Sequence, residues 1–138
     1  MSNSITVHTD GASRGNPGEA GAGALIVMPD GTEHTVSEYL GQKTNNEAEY
    51  RAIALALEKC KKVVGKQKLK EYDVNVYMDS ELAQKQLTGV YQLKNETIQQ
   101  LFITIWNLGV PFRSVTYHHV FREENKRADA LANNALDR

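Results

Sequence analysis

The spacing of apolar and polar residues predicts strands in the N-terminal part of the chain. Ile5 and Val7 alternate with polar residues before a Gly-rich segment, which is typical of a strand that ends in a turn at Asp10. Residues 20–28 and 32–40 flank a Pro-Asp-Gly sequence, a turn signal that commonly joins antiparallel strands. The first three elements are therefore predicted to form an antiparallel meander.

Between residues 44 and 64 the apolar residues change to a helical spacing. Ile53, Leu57, Cys60 and Val64 are three or four residues apart, so they lie on one face of a helix. This pattern predicts a helix that packs that face against the core.

The rest of the chain alternates between the two spacings. The predicted elements are a strand at 74–78, a short helix at 80–87, a helix at 95–108, a strand at 112–120 and a helix at 125–136. Asp79 directly follows the fourth strand. Three strands followed by alternating helices and strands indicate an α/β fold with a mixed five-stranded sheet flanked by helices.

Composition limits the class of protein. A chain of 138 residues without a repeat or a linker is predicted to form a single domain, 1–138, and its one cysteine cannot form an internal disulfide. No apolar run approaches the roughly 18 residues of a membrane span. We therefore expect a cytoplasmic monomer with no membrane segment. A net charge of -1 argues against a protein that holds nucleic acid by bulk charge alone.

Two glutamates at the start of the first predicted helix have different expected roles. Thr44 followed by Glu47 matches a capping box, in which each side chain bonds the other residue's backbone N–H. Glu49 precedes Ile53 by four residues, so its carboxylate lies in line with the apolar face. Because burial of an unpaired carboxylate is costly, Glu49 is expected to be paired, to bind a ligand or to act in function.

Three aspartates occupy comparable places in the predicted fold. Asp10 and Asp79 each end a predicted strand, and Asp129 lies in the first turns of the last helix. Each alone is explained as a turn, cap or helix-dipole residue. Together with Glu49, they are better explained as joint ligands of hard cations such as Mg²⁺ or Mn²⁺. Two such ions about 4 Å apart can drive hydrolysis of a phosphodiester, which is therefore the expected substrate.

Four segments of the chain resemble the signature segments of type 1 ribonucleases H. They are DGASRGNPG at 10–18, TNNEAEY at 44–50, DS at 79–80 and ENKRADALA at 124–132. The resemblance implies a ribonuclease H-like fold in which strands 1–3 are antiparallel and strands 4 and 5 parallel. It also implies an endonuclease that hydrolyses the RNA strand of RNA/DNA hybrids with two Mg²⁺ ions, or Mn²⁺ as a substitute. The products would carry 5′-phosphate and 3′-hydroxyl ends.

The same resemblance assigns roles to individual residues. The metal-binding acids are Asp10, Glu49, Asp79 and Asp129. The substrate contacts are Gly11, Asn16, Asn45, Asn46 and Asn125. His119 corresponds to a histidine that assists turnover, although an apolar pair follows it where many members have a Gly-rich loop, so it can equally belong to the last strand. Turn formation or helix capping is the alternative explanation for the asparagines.

Two departures from the family pattern narrow the subtype. Glu81 stands where many bacterial members have glutamine, which puts a minor-groove contact in doubt. Residues 88–94 leave no room for the basic extra helix of several bacterial members, so the chain resembles the shorter, archaeal form. Two other functions stay open: a catalytically silent module that binds hybrids, and a related metal nuclease that acts on other polynucleotides.

Overall fold

The computed structural model describes residues 3–137, and within them the chain alternates between strands and helices in the predicted order. The strands are β1 (Ser4–Ser13), β2 (Gly18–Val27), β3 (Glu33–Lys43), β4 (Asp73–Met78) and β5 (Ser114–His119). The α-helices are α1 (Asn45–Val64), α2 (Glu81–Leu87), α3 (Glu96–Gly109) and α4 (Lys126–Leu136). Short 3-10 helices at Lys66–Glu71 and Arg122–Glu124 complete these elements.

The strands form one mixed sheet in the order β3-β2-β1-β4-β5. The β1–β2 and β2–β3 pairs are antiparallel, as short turns between consecutive strands allow. The β1–β4 and β4–β5 pairs are parallel, and helices make the crossovers. The predicted mixed five-stranded α/β fold is confirmed.

The end of the first strand was predicted wrongly. The strand does not stop at Asp10 but continues to Ser13, because β2 extends far enough to pair with it, and Asp10 lies opposite Gly23. The parallel pairing of β1 with β4 ends one residue earlier, at Thr9 and Met78. Asp10 is therefore held in a strand but has no β4 residue beside it, which leaves its β4 side open.

The core lies on one face of the sheet, between the strands and α1. Ile5 and Val7 of β1 pack with Ile53, Leu57 and Cys60 of α1, and none of these side chains has exposed surface. The apolar face predicted for α1 is therefore the one that is buried. Helix α3 packs beside α1 over the same core, and α4 covers the other face of the sheet along β1, β2 and β3.

Local sequence fixes where α1 begins. The Thr44 hydroxyl accepts from the Glu47 N–H at 3.1 Å, and Glu47 Oε1 accepts from the Thr44 N–H at 2.9 Å. This is the predicted capping box, and it satisfies backbone groups that the first helical turn would leave unpaired. The Glu47 side chain therefore caps the helix, and Glu49 is the glutamate of this segment that remains a candidate for the active site.

The segment between α2 and α3 has the predicted short form. No helix lies between Leu87 and Glu96 in the described chain, so the basic extra helix is absent there. Among residues 3–137, no helix is long and apolar enough to cross a membrane.

Candidate active site

A glycine in β1 allows α1 to bring Glu49 to the sheet. A Cβ at Gly11 would overlap the backbone of Ala48 and Glu49, so only glycine permits the first turn of α1 to rest on the strand here. Gly11 immediately follows Asp10. The close approach therefore places the Glu49 carboxyl group beside the Asp10 carboxyl group.

Two glycines in β2 allow α4 to approach from the opposite face. A Cβ at Gly23 would overlap the carbonyl oxygen of Ala128 and the backbone nitrogen of Ala132, and one at Gly21 would overlap the Ala132 carbonyl oxygen. Gly23 is the residue paired with Asp10. The backbone of α4 therefore lies directly against the sheet at the level of the first acid, and Asp129 follows the contact with Ala128.

A Gly23→Ala substitution is expected to lower the free energy of unfolding by about 1–3 kcal/mol, because the added methyl group meets helix backbone and forces α4 outward. Urea denaturation at neutral pH measures the change. The matched control is Gly109→Ala, where the nearest atom is the Val115 side chain at 3.2 Å, so its loss should stay below about 1 kcal/mol. If Gly23→Ala lowers the free energy of unfolding no more than Gly109→Ala does, the close contact between Gly23 and α4 does not require glycine.

Three of the four predicted acids form a compact cluster. One carboxylate oxygen from each of Asp10, Glu49 and Asp79 lies within 4.8 Å of the other two. Asp10 and Glu49 are buried, and Asp79 is half-buried. Asp129 is not in this set of three, but it lines the same groove and its side chain interacts with that of Asp10. The structure thus brings together the four predicted acids, which lie far apart in the sequence.

Burial and mutual repulsion disfavour the charged forms of this cluster. Burial raises the pKa of Asp10 to about 8, and the negative charge of Asp79 contributes to the rise. Burial, followed by the charges of Asp10 and Asp79, raises the pKa of Glu49 well above its ordinary value. Such carboxylates are readily ionised only when a positive charge lies among them.

The cluster fits a divalent metal ion. Glu49 Oε2 is buried and has no hydrogen-bond partner among residues 3–137, so one lone-pair-bearing oxygen is left unsatisfied. Hard cations lie about 2.0–2.6 Å from carboxylate oxygens, so three oxygens within 4.8 Å of one another can share one ion. A donor set made only of oxygen atoms favours ions of the Mg²⁺, Ca²⁺ or Mn²⁺ type over softer metals.

The acids lie at the base of a groove of about 600 Å³. Eight of the ten predicted site residues line it: Asp10, Gly11, Asn45, Asn46, Glu49, Asp79, His119 and Asp129. His119 is the last residue of β5, and its exposed ring makes an edge contact with Phe121, with ring centroids 5.8 Å apart. The groove is open and polar, as a site for a charged polymer requires.

The other two predicted contacts support the site from outside the groove. Asn16 Oδ1 accepts from the Asn45 N–H at 3.0 Å, so it caps a free backbone group at the start of α1. Asn125 is 1 % exposed, and its amide donates to the Thr9 carbonyl at 2.9 Å. This bond ties the start of α4 to β1, whereas Asn125 Oδ1 has no hydrogen-bond partner in the described part of the chain, so the predicted substrate contact of Asn125 stays a prediction.

One residue of the site was missed although the sequence contained a signal for it. Asn133 lies four residues after Asp129, on the same face of α4, and lines the groove. Its amide donates to the Asp129 carbonyl at 3.0 Å and lies 3.3 Å from Asp129 Oδ1. Helical spacing from the fourth acid would have identified it as the residue that orients that carboxylate.

Known proteins share this fold and more than a third of the sequence. A family model described as "Reverse transcriptase-like" matches residues 8–135. The crystal structure of RNase H1 from the halophilic archaeon Halobacterium salinarum is 37% identical and covers 97% of this chain and 98% of that one, with a TM-score of 0.88. LC11-RNase H1, crystallised in complex with an RNA/DNA hybrid, is 41% identical over 96% of each chain, with a TM-score of 0.89.

The chain belongs to the type 1 ribonuclease H family, within the reverse transcriptase-like group. It is also 35% identical to the "Bifunctional protein Rv2228c" of Mycobacterium tuberculosis, over 96% of this chain. In that comparison the chain spans only 35% of the length of the relative.

Proposed function

We propose that the chain is an endonuclease that hydrolyses the RNA strand of RNA/DNA hybrids and leaves 5′-phosphate and 3′-hydroxyl ends. The observation that supports this most directly is the cluster of Asp10, Glu49 and Asp79 at the base of an open groove. Cation-ligating carboxylates in a groove wide enough for a polymer suit phosphodiester hydrolysis without a protein nucleophile. The likeness to LC11-RNase H1, whose structure holds a hybrid, supports the choice of substrate.

In this proposal Asp10, Glu49, Asp79 and Asp129 hold two Mg²⁺ ions, and Mn²⁺ can replace them. When bound, the ions supply the positive charge that activates water and stabilises the attacking and leaving oxygens of the phosphodiester. The chain's own contribution is orientation, because two strands and two helices fix the carboxylates. In the same proposal His119, whose exposed ring lines the groove, assists turnover.

Substrate selection is assigned to the start of α1 and the adjoining part of β1. Asn45 and Asn46 line the groove beside the acids, and Gly11 brings the β1 backbone to the same wall. An A-like duplex has a wide, shallow minor groove that displays 2′-hydroxyl groups to amide and backbone partners. A DNA duplex lacks these hydroxyl groups, so the same residues disfavour it.

The acid cluster destabilises the fold, which argues against a catalytically silent module that only binds hybrids. Burial and repulsion raise the pKa of Asp10 and of Glu49, so the ionised cluster destabilises the fold unless a cation compensates it. A module that only binds nucleic acid gains nothing from such a cluster. A metal nuclease with another polynucleotide substrate stays the second candidate, and the substrate comparison below separates it.

Cleavage should be compared on hybrid, double-stranded RNA, single-stranded RNA and duplex DNA, each with Mg²⁺ and with EDTA. We expect cutting of the RNA strand of the hybrid that EDTA abolishes, and at least tenfold slower cutting of duplex DNA, which a difference of about 1.4 kcal/mol in transition-state binding would produce. Hybrid binding without any metal-dependent cleavage would favour the silent module. Preferred cleavage of duplex DNA would favour the other class of nuclease.

A further inference from the structure

Gln86 of α2 connects the acid-bearing groove to the buried face of α1. Its Oε1 accepts two hydrogen bonds from α1: one from Asn46 Nδ2 at 3.2 Å and one from the Tyr50 hydroxyl at 2.9 Å. Asn46 and Tyr50 are four residues apart, so they lie one turn apart on the same helix face. A single side-chain oxygen on α2 therefore binds two donors of α1.

These two hydrogen bonds to Gln86 fix the orientation of the Asn46 amide. Tyr50 has no exposed surface, so its hydroxyl depends on a protein acceptor, and Gln86 Oε1 supplies one. With that oxygen facing α1, Asn46 must direct its NH₂ group toward Gln86 and its Oδ1 away from it. Asn46 Oδ1 is shielded from solvent and has no hydrogen-bond partner in the described part of the chain.

Asn46 lines the groove with the acids, but its unpartnered oxygen is shielded, so a substrate donor reaches that oxygen only when the atoms that cover it move aside. An acceptor left unsatisfied is costly unless a ligand provides a donor. The minor groove of an RNA/DNA hybrid carries two kinds of donor, the 2′-hydroxyl of the RNA strand and the amino group of guanine. Phosphate oxygens carry none, so this position suits the minor groove and not the backbone of the duplex.

We propose that Gln86 is a positioning residue for substrate recognition: it holds the Asn46 carboxamide so that its oxygen accepts a hydrogen bond from a minor-groove donor of the hybrid. This inference rests on the proposed function. It assigns to α2 a role in substrate recognition, whereas the acids bind metal. Gln86 does not touch the substrate; it acts through Asn46.

The test measures KM and kcat for hybrid cleavage in Gln86→Leu and Gln86→Glu variants. The leucine variant lacks the acceptor and should raise KM about three- to tenfold with kcat within about twofold, the effect of one misplaced hydrogen bond. The glutamate variant keeps an acceptor oxygen for both donors but cannot donate. It should retain a KM within about threefold of the parent, because the acceptor is kept. A purely steric role for glutamine would instead leave KM unchanged in the leucine variant as well, because leucine fills a similar volume.

A double-mutant cycle separates positioning from general damage. If Gln86 acts through Asn46, the double variant Asn46→Ala, Gln86→Leu should have the same KM as the Asn46→Ala single variant. The matched control is Gln84→Leu, because Gln84 lies on the same helix but donates to the Tyr117 carbonyl of β5 at 3.1 Å. Its KM should equal that of the parent.

Replacing guanosine by inosine in the RNA strand, and deoxyguanosine by deoxyinosine in the DNA strand, distinguishes the two donors, because inosine lacks the guanine amino group. If the KM effect of Asn46→Ala disappears on that substrate, the donor is the guanine amino group; if it persists, the donor is a 2′-hydroxyl. The inference is overturned if Gln86→Leu leaves KM within twofold of the parent, or if it raises KM equally with and without Asn46. In those cases the parent still cuts hybrid, whereas a parent that cuts no hybrid would overturn the proposed function as well.

Discussion

An Asp10→Asn variant is expected to lose at least about 10³-fold in kcat/KM for hybrid cleavage. Asparagine has nearly the same shape but no charge, and Asp10 interacts with all three other acids of the site. Metal-ion catalysis supplies several kcal/mol of transition-state stabilisation, and each 1.36 kcal/mol corresponds to a factor of ten in rate. Initial rates at saturating Mg²⁺ across a range of hybrid concentrations measure the loss.

The control for Asp10→Asn makes the same chemical change far from the groove. Asp30 lies in the turn between β2 and β3, and its Oδ1 accepts from the Thr32 N–H at 2.9 Å. Asparagine can accept the same bond, so Asp30→Asn should retain activity within about twofold of the parent. An Asp10→Asn enzyme that is as stable as the parent and cuts within tenfold of its rate would exclude Asp10 as an essential ligand.

Features that depend on neighbours in sequence were predictable. The start of α1 follows from Thr44 and Glu47, which contact each other three residues apart. The same local logic excluded Glu47 from the site and selected Glu49, whose burial the structure confirms. Asp79 follows β4 directly, as strand alternation before a capping serine predicts.

Features that depend on residues distant in sequence were not predictable. The length of β1 beyond Asp10 is set by its antiparallel partner, and no local pattern reveals how far β2 extends. The burial of Asn125 depends on a bond to Thr9, which is 116 residues away in the chain. The role inferred for Gln86 likewise depends on a contact with Asn46 across 40 residues. The resemblance named the candidate residues of the site, but only three-dimensional contacts show which of them line the groove.

Metal-free protein is expected to lose stability as the pH rises from about 4 to about 8. The Asp10 carboxyl group has an ordinary pKa of 3.8, and burial raises that pKa to about 8 in the folded protein. Between these values the folded state binds more protons than the unfolded state, so the free energy of unfolding falls with increasing pH. Glu49, whose pKa is also raised, contributes in the same direction. Urea denaturation in EDTA at pH 5 and pH 8 measures the difference.

If the proposed function is correct, magnesium should reverse this loss, because in that proposal it binds the ionised carboxylates of the folded state and has no equivalent site in the unfolded chain. At a free concentration of about 100 times Kd, an ion stabilises the fold by about 2.7 kcal/mol, and the gain should be larger at pH 8 than at pH 5. In Asp10→Asn both the pH dependence and the gain from Mg²⁺ should shrink, whereas Asp30→Asn should keep both. Stability in EDTA that rises from pH 5 to pH 8 would contradict the destabilising acid cluster. A parent that gains nothing from Mg²⁺ would contradict its role as a metal site, since the same carboxylates account for both effects.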